Sequence, residues 1–430
     1  MANAVIVGGI RTPFVKAGDA FNSTPAPELG RLVVREVIDR YDIDPNEIDE
    51  VICGNVASPV DAANVARVIS LRAGVPRDKV AHTVSRNCAS GMECVTQAID
   101  RVDAGQADCV IAVGVDSMSN IPVFWKKRMA EKLFKLSKAR SVFAKLKTLG
   151  SFRPADLAPD IGIQLGLTDP TTGMMMGDTA DKLAREYDIS RETQDEFALQ
   201  SHQRAIAAQQ SGKLDSETMT VFPAPKSNAV GQDIGPRDGQ SMAALSKMKP
   251  YFDRKWGTIT VGNSCQITDG AVAMLIMSES KAQELKLDPV GRVSAYAYAG
   301  CDPERMGLGP VYSSAKALKK AGKKTSDMEL VELNEAFAAQ VLACLEGFTQ
   351  PPRDCSLAAS GVLSEIDQQI LNVNGGAIAL GHPVGATGAR IILTMLHELS
   401  RRDQTTGLAT LCIGGGQGGA VVVERLAKAA

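Results

Sequence analysis

The sequence predicts an α/β fold built of layers, and three observations support this prediction. Over the first 120 residues, short β-branched runs alternate with helical patterns, and a similar rhythm returns after Gln368. The helix predicted after Cys88 is followed by a strand, and so is the helix predicted after Gly385. This weak echo indicates a duplicated architecture, and the alternation is typical of a layered α/β domain.

The individual elements follow from hydrophobic periodicity. Before residue 120 the patterns predict strands at 4–7, 51–53, 82–84 and 109–113, and helices at 28–40, 62–73 and 89–102. After residue 368 they predict strands at 371–373, 408–412 and 420–424, and a helix at 386–400.

Size and composition limit the classes of function. The chain has 430 residues, enough for two or three domains, and its net charge of −2 gives no reason to expect nucleic-acid binding. Its nine cysteines are scattered without C-x-x-C spacing, so neither a disulfide framework nor a metal site is predicted. Because such cysteines suit a reducing compartment, and because no apolar run is long enough to span a bilayer, we expect a cytoplasmic protein.

A region of different composition, residues 121–250, separates the two similar parts. Its segment 125–149 carries nine Lys or Arg residues and one acid, with apolar residues close to one helical stripe. This pattern predicts a basic amphipathic helix. Such a helix could pack as a lid on its own domain, lie on an anionic membrane or dock a partner. A long helix is also predicted from 179 to about 211.

Two cysteines occur among glycines and small residues. Cys88 precedes a predicted helix, whose N-terminal partial charge would lower the thiol pKa and favour the thiolate, although an inert buried thiol is the alternative. Cys412 ends an apolar strand and is followed by the glycine-rich run 414–419. Such glycines can expose backbone N–H groups to a developing oxyanion. A thiolate nucleophile and a second thiol that carries a proton suit chemistry at a carbonyl.

One histidine and one asparagine complete the candidate site. His382 lies between Gly381 and Pro383, in a loop from which an imidazole could reach a substrate, whereas the other histidines lie on predicted strands or helices. Asn334 follows a predicted strand and offers an amide that could position a water. The alternative is that Asn334 merely caps a helix.

Together these segments resemble the thiolase family, over nearly the whole chain. The motifs that carry the resemblance are 87–91, 334–337, 381–388 and 412–416, and the segments 11–14 and 257–264 are also similar to thiolase sequence. The resemblance implies a thiolase fold, five-layered αβαβα, built from two similar halves. The N-terminal half would be 1–120 with 251–280, the inserted loop domain 121–250, and the C-terminal half 281–430.

The resemblance also implies the role of each site residue. Cys88 would be the nucleophile that becomes acylated, and Cys412 the acid and base. His382 would activate the thiol and, with a water held by Asn334, stabilise the thioester oxyanion. The backbone N–H groups of Cys88 and Gly414 would form a second oxyanion hole.

Coenzyme A would be a substrate, with no metal or redox cofactor. By resemblance it would run across the loop domain, beside Met176, Arg237, Ser264 and Phe337. Family members typically have Ser where this chain has Cys265. The family assembles as dimers or dimers of dimers.

Within the family, the segments 125–149 and 152–159 resemble the thiolase subunit of the trifunctional fatty-acid-oxidation complex. This implies a 3-ketoacyl-CoA thiolase of β-oxidation, with a hydratase/dehydrogenase partner subunit or a peripheral membrane contact through 125–149. One departure is Asn334, where that subunit in animals generally has His. The alternatives are an acetoacetyl-CoA thiolase of biosynthetic type, a decarboxylating condensing enzyme and a non-catalytic acyl-CoA-binding scaffold.

Overall fold

The computed structural model describes residues 3–225, 228–355, 357 and 361–427. Its strands are β1 (Ala4–Arg11), β2 (Val15–Lys16), β3 (Glu50–Gly54), β4 (Val80–Val84), β5 (Cys109–Asp116), β6 (Val123–Trp125), β7 (Pro159–Ile161), β8 (Thr268–Ser278), β9 (Gly291–Gly300), β10 (Leu330–Leu333), β11 (Thr406–Ile413) and β12 (Gln417–Arg425).

The α-helices lie between these strands. They are α1 (Ala26–Arg40), α2 (Val65–Arg72), α3 (Ser90–Asp103), α4 (Lys127–Lys138), α5 (Val142–Leu149), α6 (Gly162–Gly166), α7 (Met176–Glu186), α8 (Arg191–Gln210), α9 (Met242–Leu245), α10 (Glu279–Glu284), α11 (Gly309–Ala321), α12 (Ala338–Thr349), α13 (Ala377–Leu380) and α14 (Val384–Arg401).

Ten strands form a sheet in the order β10-β11-β12-β9-β1-β8-β5-β3-β4, with β2 beside β8. Strands β1 and β9 meet only at the pair Ile6 and Gly291, so the sheet consists of two parts joined at that point. Read outward from the junction, β1-β8-β5-β3-β4 matches β9-β12-β11-β10, with the same parallel and antiparallel pairings. The isolated parallel bridge of Leu371 to Val331 occupies the place that corresponds to β4. The predicted duplication is therefore confirmed.

Three apolar cores separate five layers. Helices α1 and α2 cover the outer face of the first part of the sheet, and α11 and α12 cover the outer face of the second part. Helices α3 and α14 lie between the two parts and share one core with both. Because side chains alternate along a strand, neighbouring residues of one strand serve different cores, as Leu408 and Ala409 of β11 do.

Glycines bring the two inner helices into backbone contact. A Cβ at Gly91 of α3 would lie 2.7 Å from the carbonyl oxygen of Gly385, and a Cβ at Gly388 of α14 would lie 2.4 Å from the amide nitrogen of Met92. Any larger residue at either position would push the helices apart. The helix that follows Cys88 is therefore held against the helix that follows His382.

The prediction of one continuous helix over 125–149 is wrong. Trp125 ends β6, which pairs with β7, and the basic residues lie on two helices, α4 and α5. Ala139 leaves the helical conformation with ψ 116°, and the Ser141 side chain then caps α5 by accepting the N–H of Ala144. A local side-chain acceptor thus starts a new helix where periodicity alone predicted one continuous helix.

Two further elements differ from the prediction for local reasons. The helix expected over 179–211 is divided into α7 and α8 because Asp188 has a left-handed φ of 50° and Ser190 caps α8. The strand expected at 371–373 reduces to the bridge at Leu371. Asn372 has φ 43°, and its side chain bonds both backbone groups of Leu333, which ends the pairing.

The predicted boundaries of the two halves and of the loop domain stay a prediction, and the outermost residues, 1–2 and 428–430, lie outside the described part. Across the described ranges, no helix is both long enough and apolar enough to cross a membrane.

Candidate active site

The candidate residues lie at the carboxyl ends of strands from both parts of the sheet. Cys88 follows β4, Asn334 follows β10 directly, and Cys412 is the penultimate residue of β11. His382 lies in the loop just before α14, whose first turn contacts α3. In layered α/β folds, the carboxyl ends of parallel strands are where ligands bind.

The Cys88 sulfur faces two backbone donors. Burial raises the pKa of the Cys88 thiol, while hydrogen bonds from the N–H groups of Gly414 and of Cys88 itself lower it, with a net rise. The sequence-based expectation of a lowered pKa is therefore wrong for this state of the protein. Helix α3 begins only at Ser90, so the sulfur does not cap it, and the desolvation of a thiolate at this half-buried position outweighs two hydrogen bonds. The same two N–H groups are those expected to form an oxyanion hole.

Cys412 lies close enough to interact with Cys88. Burial raises the pKa of the Cys412 thiol well above its usual value, and the neighbouring Cys88, Cys344 and Cys265 raise it further. Cys412 is almost fully buried and packs with Met176 and Phe337. The structure thus places the two cysteines that the sequence analysis singled out in one environment, in which Cys412 is a neutral thiol at pH 7.

A strained turn holds the donor of Gly414 in place. Asn87 has φ 44°, and its side-chain amide donates to the carbonyl oxygen of Gly414 at 2.8 Å. Gly415 and Gly416 both have left-handed φ values, 88° and 78°, and a Cβ at Gly416 would lie 2.5 Å from the carbonyl oxygen of Cys301. The turn therefore requires glycine, and it fixes the position of the Gly414 N–H relative to Cys88.

His382 presents one unpaired ring nitrogen. Its Nδ1 lies 2.6 Å from the Thr387 hydroxyl, which itself donates to the Pro383 carbonyl oxygen at 3.0 Å. With its hydrogen directed at Pro383, the Thr387 hydroxyl accepts from His382, and this arrangement assigns the imidazole proton to Nδ1 and a lone pair to Nε2. Nε2 is buried and has no hydrogen-bond partner among the described residues.

The charge of His382 follows from its surroundings. Burial, with a contribution from the positive charge of Arg390, lowers the pKa of His382 to about 4. The imidazole is therefore neutral at pH 7 and can accept a proton at Nε2. The other three histidines have partners elsewhere: His82 bonds Glu50, His202 accepts the N–H of Arg237, and His397 contacts Ser216.

Asn334 has an unpaired side-chain amide. Its backbone N–H donates to Thr410 at 3.0 Å, but neither side-chain polar atom has a partner within the described ranges, although both are buried. Helix α12 begins at Ala338 with Phe337 as its N-cap, so the alternative of Asn334 as a helix cap is wrong. A buried amide with open donors and acceptors can hold a water at the site.

Three of the four expected coenzyme A contacts lie beside this cluster. Ser264 bridges to Phe337, Phe337 packs with Cys412, and the Met176 sulfur would lie 3.3 Å from a Cβ at Gly414. Arg237 instead lines a separate cavity of about 220 Å³ along α8.

Cys265 provides a third thiol near Cys88. Burial raises the pKa of Cys265 to about 12, and the neighbouring Cys88 contributes to the rise. Its N–H donates to Ala336 at 3.0 Å. In the part of the chain that the structure describes, no group of three or more His, Cys, Asp or Glu residues could hold a metal ion.

Comparisons with known proteins agree with this geometry. Residues 4–280 match the family model of the thiolase N-terminal domain, and residues 287–425 match that of the thiolase C-terminal domain. This chain belongs to the thiolase family. The predicted family, the thiolase fold and the assignment as an acyltransferase of the thiolase type are confirmed.

Relatives of this thiolase match along almost the whole chain. The 3-ketoacyl-CoA thiolase of Pectobacterium carotovorum subsp. carotovorum is 42% identical over 420 residues, which are 97% of this chain and 95% of the relative. That of Aliivibrio fischeri is 40% identical over 422 residues, with the same coverage.

Solved structures show the same fold. The Bacillus anthracis acetyl-CoA acetyltransferase superposes with a TM-score of 0.87 at 35% identity, covering 99% of each chain. Human mitochondrial 3-ketoacyl-CoA thiolase in complex with CoA superposes with a TM-score of 0.85 at 34% identity, covering 99% of this chain and 98% of that one.

Sequence reasoning about this thiolase missed two supporting residues. Thr387 fixes the tautomer of His382, and Glu335 joins three segments by accepting hydrogen bonds from Ser201, Asn372 and the N–H of Ile378. Both lie inside motifs that were recognised. The available signal was their place in the sequence: Glu335 directly follows Asn334, and Thr387 lies five residues after His382.

Proposed function

We propose that this thiolase is a 3-ketoacyl-CoA thiolase, an acetyl-CoA C-acyltransferase that cleaves 3-oxoacyl-CoA with CoA. The products are acetyl-CoA and an acyl-CoA shortened by two carbons. The observation that carries the proposal is the Cys88 sulfur facing the N–H of Gly414, with Cys412 beside it. The names of the relatives that match 97% of the chain support the substrate class.

In the first half-reaction, Cys88 attacks the C3 carbonyl of the substrate. The lone pair on His382 Nε2 accepts the thiol proton, which compensates for the raised pKa of Cys88. The N–H groups of Cys88 and Gly414 can stabilise the oxyanion that forms on C3. The C2–C3 bond then breaks and leaves an acyl group on Cys88.

The leaving group is the enolate of acetyl-CoA, and it needs a proton at carbon. Cys412 supplies this proton. Its high pKa is compatible with this role because an enolate carbon is far more basic than a thiolate. The protonated His382 and a water on Asn334 can stabilise the enolate oxygen of the thioester.

In the second half-reaction, the thiolate of Cys412 removes the proton of the incoming CoA thiol. A thiolate with a high pKa is a strong base, so the burial of Cys412 favours this step. The CoA sulfur attacks the acyl group, and Cys88 leaves and regains its proton from His382. The cycle consumes and releases no electrons, and the proposed chemistry needs no metal or redox cofactor.

The proposed position of CoA follows the cluster beside Cys412. Met176, Ser264 and Phe337 would contact the pantetheine end, and Arg237 would lie farther along the loop domain. A homodimer or a dimer of dimers, and a cytoplasmic location, form part of the proposal. Free thiols at Cys88, Cys265 and Cys412 suit a reducing compartment.

Helices α4 and α5 form a candidate surface for a partner subunit or a membrane. Of the apolar stripe in segment 125–149, only Met129 is buried, whereas Phe143, Leu146 and Leu149 are 78%, 61% and 51% exposed. The stripe therefore does not pack as a lid within this chain. Exposed apolar residues on basic helices support docking to an acidic partner or an anionic membrane.

Substitution of the two cysteines tests the reaction. Cys88→Ala should abolish both the acyl adduct, detected by mass spectrometry, and thiolysis, detected as the loss of acetoacetyl-CoA absorbance on addition of CoA. Cys412→Ser should bind substrate but react about 10²–10⁴-fold more slowly. Cys301→Ser is the control and should retain activity. If Cys88→Ala turned over normally, the proposal would be wrong and the scaffold alternative would gain support.

An acetoacetyl-CoA thiolase of biosynthetic type is the second candidate. The close superposition on an acetyl-CoA acetyltransferase favours it. Thiolysis rates over 3-oxoacyl-CoA chains of four to sixteen carbons separate the two. Activity confined to four carbons would support the second candidate.

A further inference from the structure

A buried carboxylate that exchanges no proton in the proposed reaction ends strand β5, and its charge makes only the smallest of the contributions to the raised pKa of Cys88. Asp116 is fully buried, and the described residues give it no ion pair. Its carboxylate instead accepts four hydrogen bonds from neutral N–H donors. Oδ1 accepts those of Asn55 Nδ2, the Val56 N–H and the Ala57 N–H at 2.8, 3.0 and 2.9 Å, and Oδ2 accepts the Gly385 N–H at 2.6 Å.

These bonds join two loops that are distant in sequence. Residues 55–57 follow β3, and Gly385 lies in the first turn of α14. The first N–H groups of a helix have no partner within the helix, and an anionic acceptor there stabilises the helix start. Asp116 therefore fixes the N-terminus of α14 to the ends of β3 and β5.

The geometry around Gly385 shows how closely the helix start is held. A Cβ at this position would lie 2.7 Å from the carbonyl oxygen of Val115, 3.0 Å from that of Gly54 and 3.1 Å from Asp116 Oδ2. Only glycine permits this approach. The close approach of Gly385 to these carbonyl groups and its short hydrogen bond to Asp116 are two independent observations. Both indicate that the first turn of α14 has one fixed position.

His382 depends on that turn. Its Nδ1 proton is held by Thr387, which lies in the first turn of α14 and bonds Pro383. The same turn also touches the helix that follows Cys88, because a Cβ at Gly91 would lie 2.7 Å from the carbonyl oxygen of Gly385. A shift at Gly385 would therefore change the separation between His382 and Cys88.

We propose that Asp116 is a positioning residue that aligns His382 with Cys88 by anchoring the first turn of α14. This inference rests on the proposed roles of Cys88 and His382. Reaction rates are sensitive to such alignment, and a displacement of about 1 Å can cost about 10²-fold.

The variant Asp116→Asn tests the anchor selectively. Three donors converge on the Oδ1 side, so the amide oxygen of an asparagine would take that place. Its NH₂ group would then face the Gly385 N–H, and two donors would oppose each other. The loop after β3 would stay bonded while the turn of α14 lost its acceptor.

A matched control lies on the same helix. Glu398, about 20 Å from Gly385 along α14, bonds Asn374, Arg401 and Arg402 at the C-terminal end. Glu398→Gln should lower the melting temperature without changing kcat for thiolysis. Asp116→Asn should lower kcat by about 10–100-fold and leave the KM for CoA within about twofold, because Asp116 is not among the proposed CoA contacts.

A second variant keeps the carboxylate. Gly385→Ala should displace the same turn and lower kcat in the same way, and the double variant should be no slower than the slower single variant, because both act through one contact. If Asp116→Asn does not fold, Gly385→Ala carries the test.

The positioning role is refuted if Asp116→Asn or Gly385→Ala has the same kcat as the control Glu398→Gln. It is also refuted if the decreases in kcat of the two single variants multiply in the double variant. Cys88→Ala separates this outcome from failure of the proposed function. An inactive Cys88→Ala together with a fully active Asp116→Asn refutes the anchor alone.

Discussion

Replacing Thr387 with valine removes the hydroxyl that orients His382 and keeps the shape of the side chain. The Nδ1–H group of His382, whose nitrogen lies 2.6 Å from the Thr387 hydroxyl oxygen, then faces a methyl group in a buried position. The ring can avoid this contact by moving its proton to Nε2. In that tautomer the nitrogen that should accept the Cys88 proton is already protonated.

The size of the effect follows from the lost hydrogen bond. A buried donor left without an acceptor costs about 1–3 kcal/mol. If the whole cost falls on the transition state, kcat decreases by about 5- to 150-fold. We expect a decrease in this range, measured as acetoacetyl-CoA thiolysis at saturating CoA, with little change in KM.

Thr394→Val is the matched control. Thr394 is also buried on α14, and its hydroxyl donates to Glu217 at 3.1 Å, away from His382. This variant also loses one buried hydrogen bond, so its stability should fall while its kcat stays that of the wild type. Equal kcat values for the two valine variants would refute the role of Thr387 in fixing the tautomer.

Three further predictions concern binding, packing and pH. Deletion of residues 126–147 should spare thiolysis and weaken binding to anionic vesicles or to a partner; unchanged binding in vesicle sedimentation would rule out that role of α4 and α5. Gly388→Ala should destabilise the fold by about 1–3 kcal/mol in urea unfolding, because the added Cβ would meet the Met92 amide nitrogen at 2.4 Å; an unchanged urea midpoint would contradict the backbone contact. Burial lowers the pKa of both His382 and His202 to about 4, so the unfolded chain binds protons first as the pH falls. Stability should be full above pH 6.5 and decrease down to pH 4 by about 3 kcal/mol per histidine. His202→Gln should show a correspondingly smaller loss, and an identical pH profile would count against this prediction.

The sequence was sufficient to predict which segments come together, whereas the roles of their side chains stay a prediction. Cys88, His382 and Cys412 each lie in a short glycine-containing segment next to a predicted element, and the structure brings these segments to one place. The direction of the Cys88 pKa shift could not be predicted in this way. It depends on burial by residues from both halves, and no local pattern reports that.

Local patterns also failed where single side chains interrupt an element. The left-handed Asn372 ends a strand by bonding Leu333, and the Ser141 cap divides the basic segment into α4 and α5. The link between Asp116 and Gly385 spans 269 positions of sequence. Such a pair has no periodicity and becomes visible only when the sheet order is known.

The repeated strand order supplies two equivalent strand ends, and this chain uses them for different purposes. Strand β11 carries Cys412, the proposed acid and base, near its end, whereas its counterpart β5 ends at Asp116, which among the described residues bonds only backbone and amide groups. The end of β11 thus serves the proposed chemistry and the end of β5 supports α14, while the proposed nucleophile Cys88 follows another strand of the first part, β4. Separating the two halves would leave each with an incomplete set of reactive groups, so enzymes of this design are expected to evolve new substrates by changing loops, while the pairing of the two copies is retained.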